Sequence, residues 1–537
     1  MLLGLPGCHT FPAAQSTGPD LYATKTDTRP NIIVILVDDQ RFDAFGAMTD
    51  GLVTPNLDRL IAEGVHFENA FVTTSLCSPS RASIMSGQSM RTHGIVDNNS
   101  PTPDDFEPFS VLLDEAGYDT AFIGKWHMGN ADASPKPGFD HWVSFEGQGN
   151  YGPVDAFGRP SLFNVNGESV PQTGYITDEL TQFATDWLEL RSGDPYLLFL
   201  SHKAVHLPFT PAERHSDQYE SLVITPPITE APEARQGPRP MWLATQNNSW
   251  HGSGFAFYSE RDLRDIQRTY YAALSGVDDS VGTLLSTLSA HSNDRDTVII
   301  YTSDNGFMFG EQGLVDKRAA YDASIRVPMI IHAPERLEAG TVNPVMARNI
   351  DIAPTILALA GLAIPDHYEG RDVLSVDAEA DNEPLIYEYY WEFNYPQTPS
   401  TFAIRTQRYK YIQYHGVWDT EELFDLEADP EEQVNLVADP AHQDALIALR
   451  AQLFAAISTG DDRPEIPFTE RFNQGAVFWS DSVSSSVSFP PHWERGADAF
   501  DKYEHILPDG PGKTQQLEAI TPAIRRIIDG ETGGDGK

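Results

Sequence analysis

The chain is poor in cysteine and in positive charge, and it has no long apolar run. Cys8 and Cys77 are its only cysteines among 537 residues. A disulfide framework is thereby excluded, and no internal disulfide is expected. Lysine and arginine number 36 against 78 acidic residues, a formal net charge of −42. That balance excludes non-specific binding to nucleic acid, which needs a basic surface. No stretch approaches the ~20 apolar residues that a membrane span requires. What the chain does have is core-forming material. Hydrophobic residues make up 40% and aromatic residues 11%, too much for a disordered protein. The length suits one large α/β domain with a smaller one beside it.

The fold signal starts at Asn31. Ile32-Ile33-Val34-Ile35-Leu36-Val37 is a continuous, largely β-branched run, the mark of a strand buried on both faces. Segments 196–200 and 297–301 repeat the pattern, 120–124 is a shorter version, and 327–331 reads as one more. Helical stripes lie between them: Leu57, Leu60 and Ile61; residues 176–190; and Val277, Val281, Leu284, Leu285 and Leu288. Buried strands alternating with amphipathic helices predict an α/β fold, a large mainly parallel sheet flanked by helices. From Glu383 the texture changes to short strands at 385–392, 402–405, 409–414 and 422–426, then a helix at 441–457. These predict a smaller C-terminal antiparallel sheet with one helix on it. The chain divides accordingly into an N-terminus that is a signal remnant or flexible (1–29), a catalytic α/β domain (30–382), a C-terminal α+β subdomain (383–459) and an irregular extension (460–537), with a helix near 517–528. Leu5-Pro6-Gly7-Cys8 looks like the end of a lipoprotein signal. Export to the periplasm or the exterior is expected, with Cys8 as the candidate lipid anchor.

Five groups of residues carry chemistry. Asp38-Asp39 and Asp304-Asn305 follow two predicted strands, and α/β sheets bind ligands at such ends. One acidic pair is usually a solvated loop. Two pairs of hard oxygen donors at two strand ends point to Ca²⁺ or Mg²⁺ in preference to zinc. Cys77-Ser78-Pro79-Ser80-Arg81 opens a helix, with Pro79 suited to its first turn. A lone cysteine is more often a small buried hydrophobe, but a helix N-terminus beside an arginine is an anion site and would lower a thiol pKa. Gly124-Lys125-Trp126-His127-Met128-Gly129 is a loop with two potential cations. His202-Lys203-Ala204-Val205-His206-Leu207-Pro208 follows another strand, and Asp316-Lys317-Arg318 precedes Tyr321 and Arg326-Val327-Pro328.

The run from Cys77 to Gly87 resembles the Cys-x-Pro-x-Arg signature of the type I, formylglycine-dependent sulfatases of the alkaline phosphatase superfamily. The resemblance extends over about residues 30–457 and includes Glu422–Pro430 and Asn435-Leu436. It implies that a formylglycine-generating maturation enzyme oxidises Cys77 to Cα-formylglycine, whose hydrate, not a thiolate, is the nucleophile. It implies one divalent cation, calcium before magnesium, on Asp38, Asp39, Asp304 and Asn305, with the residue-77 side chain completing the site. Arg81 would hold the hydrate, Lys125 would bind sulfate, and His127 would stand beside the formylglycine. His206 would be a sulfate ligand and general acid, although Val205 stands where many sulfatases have proline. Lys317 would contact sulfate and the leaving-group oxygen. His202, Arg318 and Arg326 read as supports.

The expected function is hydrolysis of sulfate esters, on a sulfated carbohydrate or polysaccharide or a small sulfate ester. The nearest alternative is a phosphonate monoester or phosphodiester hydrolase of the same superfamily. A thiol-dependent Cys–His hydrolase would need Cys77 to stay a thiol, and the intact set of site residues argues against a catalytically dead carbohydrate-binding protein. Trp142, Tyr151, Trp242, Trp250, Tyr390 and Trp391 are candidates for stacking on sugar rings. A net charge of −42 repels an anionic substrate unless salt screens it, which points to a saline, marine setting.

Overall fold

β1 (Asn31–Val37) lies near the middle of a ten-stranded sheet, and every residue in it is buried. Ile32, Val34 and Leu36 enter one apolar cluster, while Ile33, Ile35 and Val37 enter another. A strand can be apolar on both faces only where other elements cover both faces of its sheet. Helices Ile176–Glu189 and Leu263–Ala290 cover one face of this sheet. Helices Cys77–Ser86 and Ile352–Leu359 cover the other. The computed structural model describes residues 29–458, except 130–131, 192, 248–261, 291–294, 379, 393–394, 396–397 and 416–420, and a small hairpin at 465–466 and 477–478. Cys8, Trp250 and the helix expected near 517–528 lie outside the described residues.

The remaining strands of the large sheet are β2 (Val65–Phe71), β3 (Asp119–Gly124), β4 (His141–Ser144), β5 (Leu162–Val165), β6 (Glu168–Pro171), β7 (Tyr196–Ser201) and β8 (Thr297–Ser303), then, after a hairpin of β9 (Met308–Phe309) and β10 (Val315–Asp316), β11 (Met329–His332) and β12 (Thr341–Arg348). Their order is β12-β2-β11-β8-β1-β7-β3-β4-β5-β6. The run from β8 to β4 is parallel throughout. The sheet as a whole is mixed, because β11 runs antiparallel to both its neighbours and β5 and β6 form an antiparallel edge. The chain leaving β8 makes the β9–β10 hairpin and re-enters the sheet from the same end, so it needs no crossover helix and β11 runs backwards. Among the described residues no helix is long and apolar enough to cross a membrane.

The C-terminal sheet is antiparallel, in the order β13 (Leu385–Tyr389), β14 (Ser400–Arg405), β15 (Tyr409–His415), β16 (Glu421–Asp425). Alternate residues divide between its faces. Tyr387, Tyr389, Ala403 and Ile412 join the core of the large unit, while Phe402, Ile404, Tyr411 and Leu423 receive Leu446, Leu449, Leu453 and Ile457 of the helix Gln443–Ile457.

The helix Cys77–Ser86 is buried along its whole length. It has no polar face because it has no wet one. Its serines find partners instead: Ser80 Oγ accepts from Asn349 Nδ2 (2.9 Å), and Ser86 Oγ donates to Ala82 O (2.8 Å). Pro79 is the third residue, within the first turn whose N–H groups have no helical acceptor, so it costs no hydrogen bond. Gly87 ends the helix at φ 65° and donates to Ser83 O (2.9 Å). His93 packs against this helix. The Ile95 N–H donates to His93 Nδ1 (3.1 Å), which places the ring proton on Nε2, 3.1 Å from Ser83 Oγ. Burial pushes the imidazole down from 6.5 to about 3. An unfolded histidine takes up a proton near 6.5 and the folded one only near 3, so this contribution is full above pH 6.5 and is lost as pH falls through that window. We expect the unfolding free energy of the protein to decline between pH 6 and pH 4 by a few kcal/mol more than that of His93→Gln. Denaturant melts across a pH series measure this, and two parallel pH curves would contradict it.

Candidate active site

Two adjacent strand ends make the floor of the site. β1 and β8 pair in register, Val37 opposite Ser303, so the next residues, Asp38 and Asp304, emerge side by side. Asp39 turns back through a left-handed conformation, φ 63°. Its N–H donates to Asp304 Oδ1 (3.1 Å), and Asn305 Nδ2 donates to Asp39 Oδ1 (2.6 Å). Tyr270 OH, from the long helix, donates to Asp39 O (2.9 Å). All four site residues at these strand ends are buried.

Three cations answer the three carboxylates. β3 ends at Gly124, where a Cβ would stand 1.8 Å from Ser201 O of β7 at φ 123°. Only glycine lets these two strand ends close up. Lys125 follows, its N–H on Ser201 O (2.8 Å) and its ammonium paired with Asp38. Lys317, just beyond β10, pairs with Asp39. Arg81, one turn into the Cys77 helix, reaches down to Asp304 Oδ2 through Nε (2.8 Å) and to Ser201 Oγ (2.7 Å) and Lys125 O (2.6 Å) through Nη1. Its Nη2 lies 3.7 Å from Asp38 Oδ2 and is buried without a hydrogen-bond acceptor among the described residues.

Cys77 is the first residue of its helix and sits over this floor. Its Sγ is 3.0 Å from Lys317 Nζ and 3.7 Å from Asp38 Oδ1. Burial raises the thiol to about 11 in spite of Lys125 and Lys317. The helix N-terminus therefore does not make a thiolate here, contrary to what the helix and arginine alone suggest. His127 (φ 51°) stands beside Ser78, its Nδ1 3.4 Å from Ser78 Oγ. His206 Nδ1 donates to Leu207 O (2.9 Å), which leaves Nε2 towards Asp39 Oδ2 at 3.9 Å. Burial, reinforced by the lysines, pushes both imidazoles well below 6.5, so both rings are neutral near pH 7.

Burial unsettles the three carboxylates unequally. Burial, with Asp38 and Asp304 close by, pushes the Asp39 carboxyl up to about 7 against the pull of Lys317. Burial and Asp38 also raise Asp304. Burial works to raise Asp38 too, but Lys125, His206, Arg81 and Lys317 together hold it well below its usual range. Oxygens of Asp38, Asp39 and Asp304 lie within 4.8 Å of one another, as do ligand atoms of Asp38, Cys77 and His206. Asn305 Oδ1 is buried without a donor among the described residues. Crowded carboxylates and an orphaned carbonyl oxygen are a donor set that a hard divalent cation fits.

Asp38, Asp39, Cys77, Arg81, Lys125, His127, His206, Asp304, Asn305 and Lys317 thus gather at one end of the sheet. His202 points elsewhere, its Nε2 3.1 Å from Ser280 Oγ in the long helix. Arg326 covers the Phe42 ring at 4.2 Å. Four stacking candidates are core residues: Trp142 lies on Phe122 (4.8 Å), Trp242 meets Tyr414, Tyr390 bonds Glu388, and the Tyr151 OH donates to His206 O (2.7 Å). Trp391 is half-buried. Sequence reasoning gave Lys203 no role. It is buried 4.9 Å above the Tyr151 ring, burial pushes its ammonium down to about 7, and its carbonyl accepts the His206 N–H (3.0 Å). Ser201 and Tyr270 also went unnoticed, because single hydroxyls in apolar runs carry no pattern, and Ser78 was read only as part of the Cys77 run.

Residues 30–362 match the family model described as Sulfatase. The chain belongs to the sulfatase family. Residues 310–459 match a second model, N-sulphoglucosamine sulphohydrolase, C-terminal. An N-acetylglucosamine-6-O-sulfatase of Bacteroides thetaiotaomicron is 31% identical over 480 residues, covering 78% of this chain and 84% of the relative. An ulvan-active sulfatase of Formosa agariphila is 31% identical over 424 residues, covering 75% and 76%. A solved structure of a protein in complex with its substrate D-glucosamine-2-N,6-O-disulfate superposes with a TM-score of 0.70 at 29% identity, over 80% of this chain and 97% of that one. The protein is a sulfatase enzyme, and its sheet is that of the alkaline-phosphatase-like fold. In sulfatase that retains the Cys77 thiol, on the order of one molecule in a thousand is thiolate at pH 8. We expect the folded protein to resist alkylation at Cys77 and the unfolded protein to react fully, as peptide mass spectrometry reads. Fast labelling of the folded form would contradict the buried thiol.

Proposed function

We propose that this sulfatase removes sulfate from a sulfated carbohydrate, using Cα-formylglycine at position 77 and one calcium ion at the strand ends. The convergence of Lys125, Lys317 and Arg81 on the site under Cys77 carries this reading. A sulfate ester resists attack because its oxygens are negatively charged. Three buried cations meet that charge in a low-dielectric setting, where each contributes most. Formylglycine as its hydrate supplies an oxygen nucleophile and a second hydroxyl through which sulfate later leaves, which a thiol held near 11 does not. Asp38, Asp39, Asp304, Asn305 and residue 77 would hold the cation, which supplies Lewis-acid stabilisation of the sulfuryl oxygens when bound.

We assign Lys125 to binding the sulfuryl group and Arg81 to fixing residue 77. We assign His206 and Lys317 to the departing alcohol, and His127 to the proton of the second hydroxyl. The substrates for which the relatives are named, an N-acetylglucosamine 6-O-sulfate, ulvan and a disulfated glucosamine, support a carbohydrate substrate. The net charge of −42 supports work in a saline, extracellular setting.

Replacing Cys77 by alanine is expected to lower sulfatase turnover at least about a thousandfold with the circular dichroism and melting temperature little changed. Most of the activity surviving in Cys77→Ala would end the formylglycine reading, as would an unmodified cysteine mass in active enzyme. Chelation is expected to lower both turnover and melting temperature, and added Ca²⁺ to restore both. Full turnover in metal-free protein would remove the cation from the mechanism. Rates on an aryl sulfate above those on an aryl phosphate diester separate this reading from the phosphodiesterase alternative.

A further inference from the structure

Lys317 is held from outside the strand ends. Its neighbours Asp316 and Arg318 both have left-handed backbone, φ 94° and 73°, a costly conformation for residues with a Cβ. Arg318 holds this turn in place through four groups. Its N–H donates to Ser75 Oγ (3.1 Å) and Ser75 O (3.3 Å), two residues before Cys77. Its Nη1 donates to Asp316 Oδ2 (2.5 Å) and its Nε to Glu392 Oε1 (2.8 Å). Its guanidinium carbon lies 3.7 Å from the centre of the Tyr395 ring. Glu392 in turn accepts from Tyr389 OH (2.8 Å), and both members of the Arg318–Glu392 pair are buried. The strand that leads to Glu392 also grips the segment before Cys77. Glu388 N donates to Thr73 O (2.9 Å), and Thr74 Oγ1 donates to Glu388 O (2.8 Å).

Charge balance does not require Glu392, because Arg318 already has Asp316. What a second carboxylate adds is direction. A planar guanidinium forked between two carboxylates and laid on a ring has one orientation. We propose that Glu392 is a positioning residue for Lys317, acting through Arg318, so that the C-terminal sheet sets the separation of the Lys317 ammonium from residue 77. This rests on the reading of Lys317 as the group at the sulfuryl oxygens and the departing alcohol.

Glu392→Gln tests it, because glutamine keeps the shape and the acceptor for Tyr389 and removes the ion pair. Tyr389→Phe is the milder second variant should the first fail to fold. Each is made alone and together with Lys317→Ala in the full chain. One readout is kcat/KM over aryl sulfates of graded leaving-group acidity. The other is the affinity for inorganic sulfate by calorimetry, which needs no turnover. We expect Glu392→Gln to lower kcat/KM about tenfold, more for poor leaving groups, and to add nothing once Lys317 is alanine. Sulfate binding should weaken several-fold in the same non-additive way. Losses that multiply in the double variant, or that are equal for all leaving groups, would make Glu392 a structural residue and overturn the proposal. Equal sulfate affinity in wild type and Glu392→Gln would overturn it too. A wild-type chain that binds sulfate but cleaves no sulfate ester would defeat the proposed function, and the binding cycle would still decide the role of Glu392.

Discussion

Everything at the sheet's end follows from the pairing of three buried carboxylates with three buried cations. An unpaired charge in such a place costs several kcal/mol, and a pair repays that only with good geometry. The geometry comes from the backbone. Parallel register sets Asp38 beside Asp304, the left-handed turn at Asp39 brings its carboxylate back over them, and Gly124 brings Lys125 within reach. Arg81 has its place because a fully buried helix is wedged against the sheet. No member of the set can be removed without stranding another. These six charges tie the strand ends to the helix and loops that surround them.

The parts of the fold that were legible from sequence are those buried on both sides. β1, β7 and β8 announce themselves as unbroken apolar runs because no face of them meets water. β2, β5, β6 and β12 carry polar residues such as His66, Glu68, Asn164 and Asn343, since part of each faces solvent or an edge, and they went unread. The direction of β11 was equally hidden. Its sequence is that of any buried strand, and only the path of the chain through β9 and β10 decides which way it runs. The C-terminal strands were legible from their turns and spacing, within three residues at each end.

Chemistry was more legible than contact. Motifs named the ten residues that meet at the site, because each stands at a strand end or a helix start. Their partners were not readable. Nothing in the sequence pairs Arg81 with Asp304, 223 residues away, or sets Tyr151 on the His206 carbonyl. The aromatic residues show the limit most sharply. Composition suggests a sugar platform, but Trp142 and Trp242 lie in the core, because large rings fill volume wherever a wide sheet meets its helices.

The grip of β13 on residues 73–75 has a consequence for the order in which the protein is made. The segment leading to Cys77 is synthesised more than 300 residues before the strand that closes over it. Until that strand has emerged, Thr73 O and Thr74 Oγ1 lack their partners and the Cys77 helix lacks one wall. The side chain at 77, buried in the finished molecule, is therefore open on that side for a limited interval during synthesis. The C-terminal sheet ends that interval when it folds.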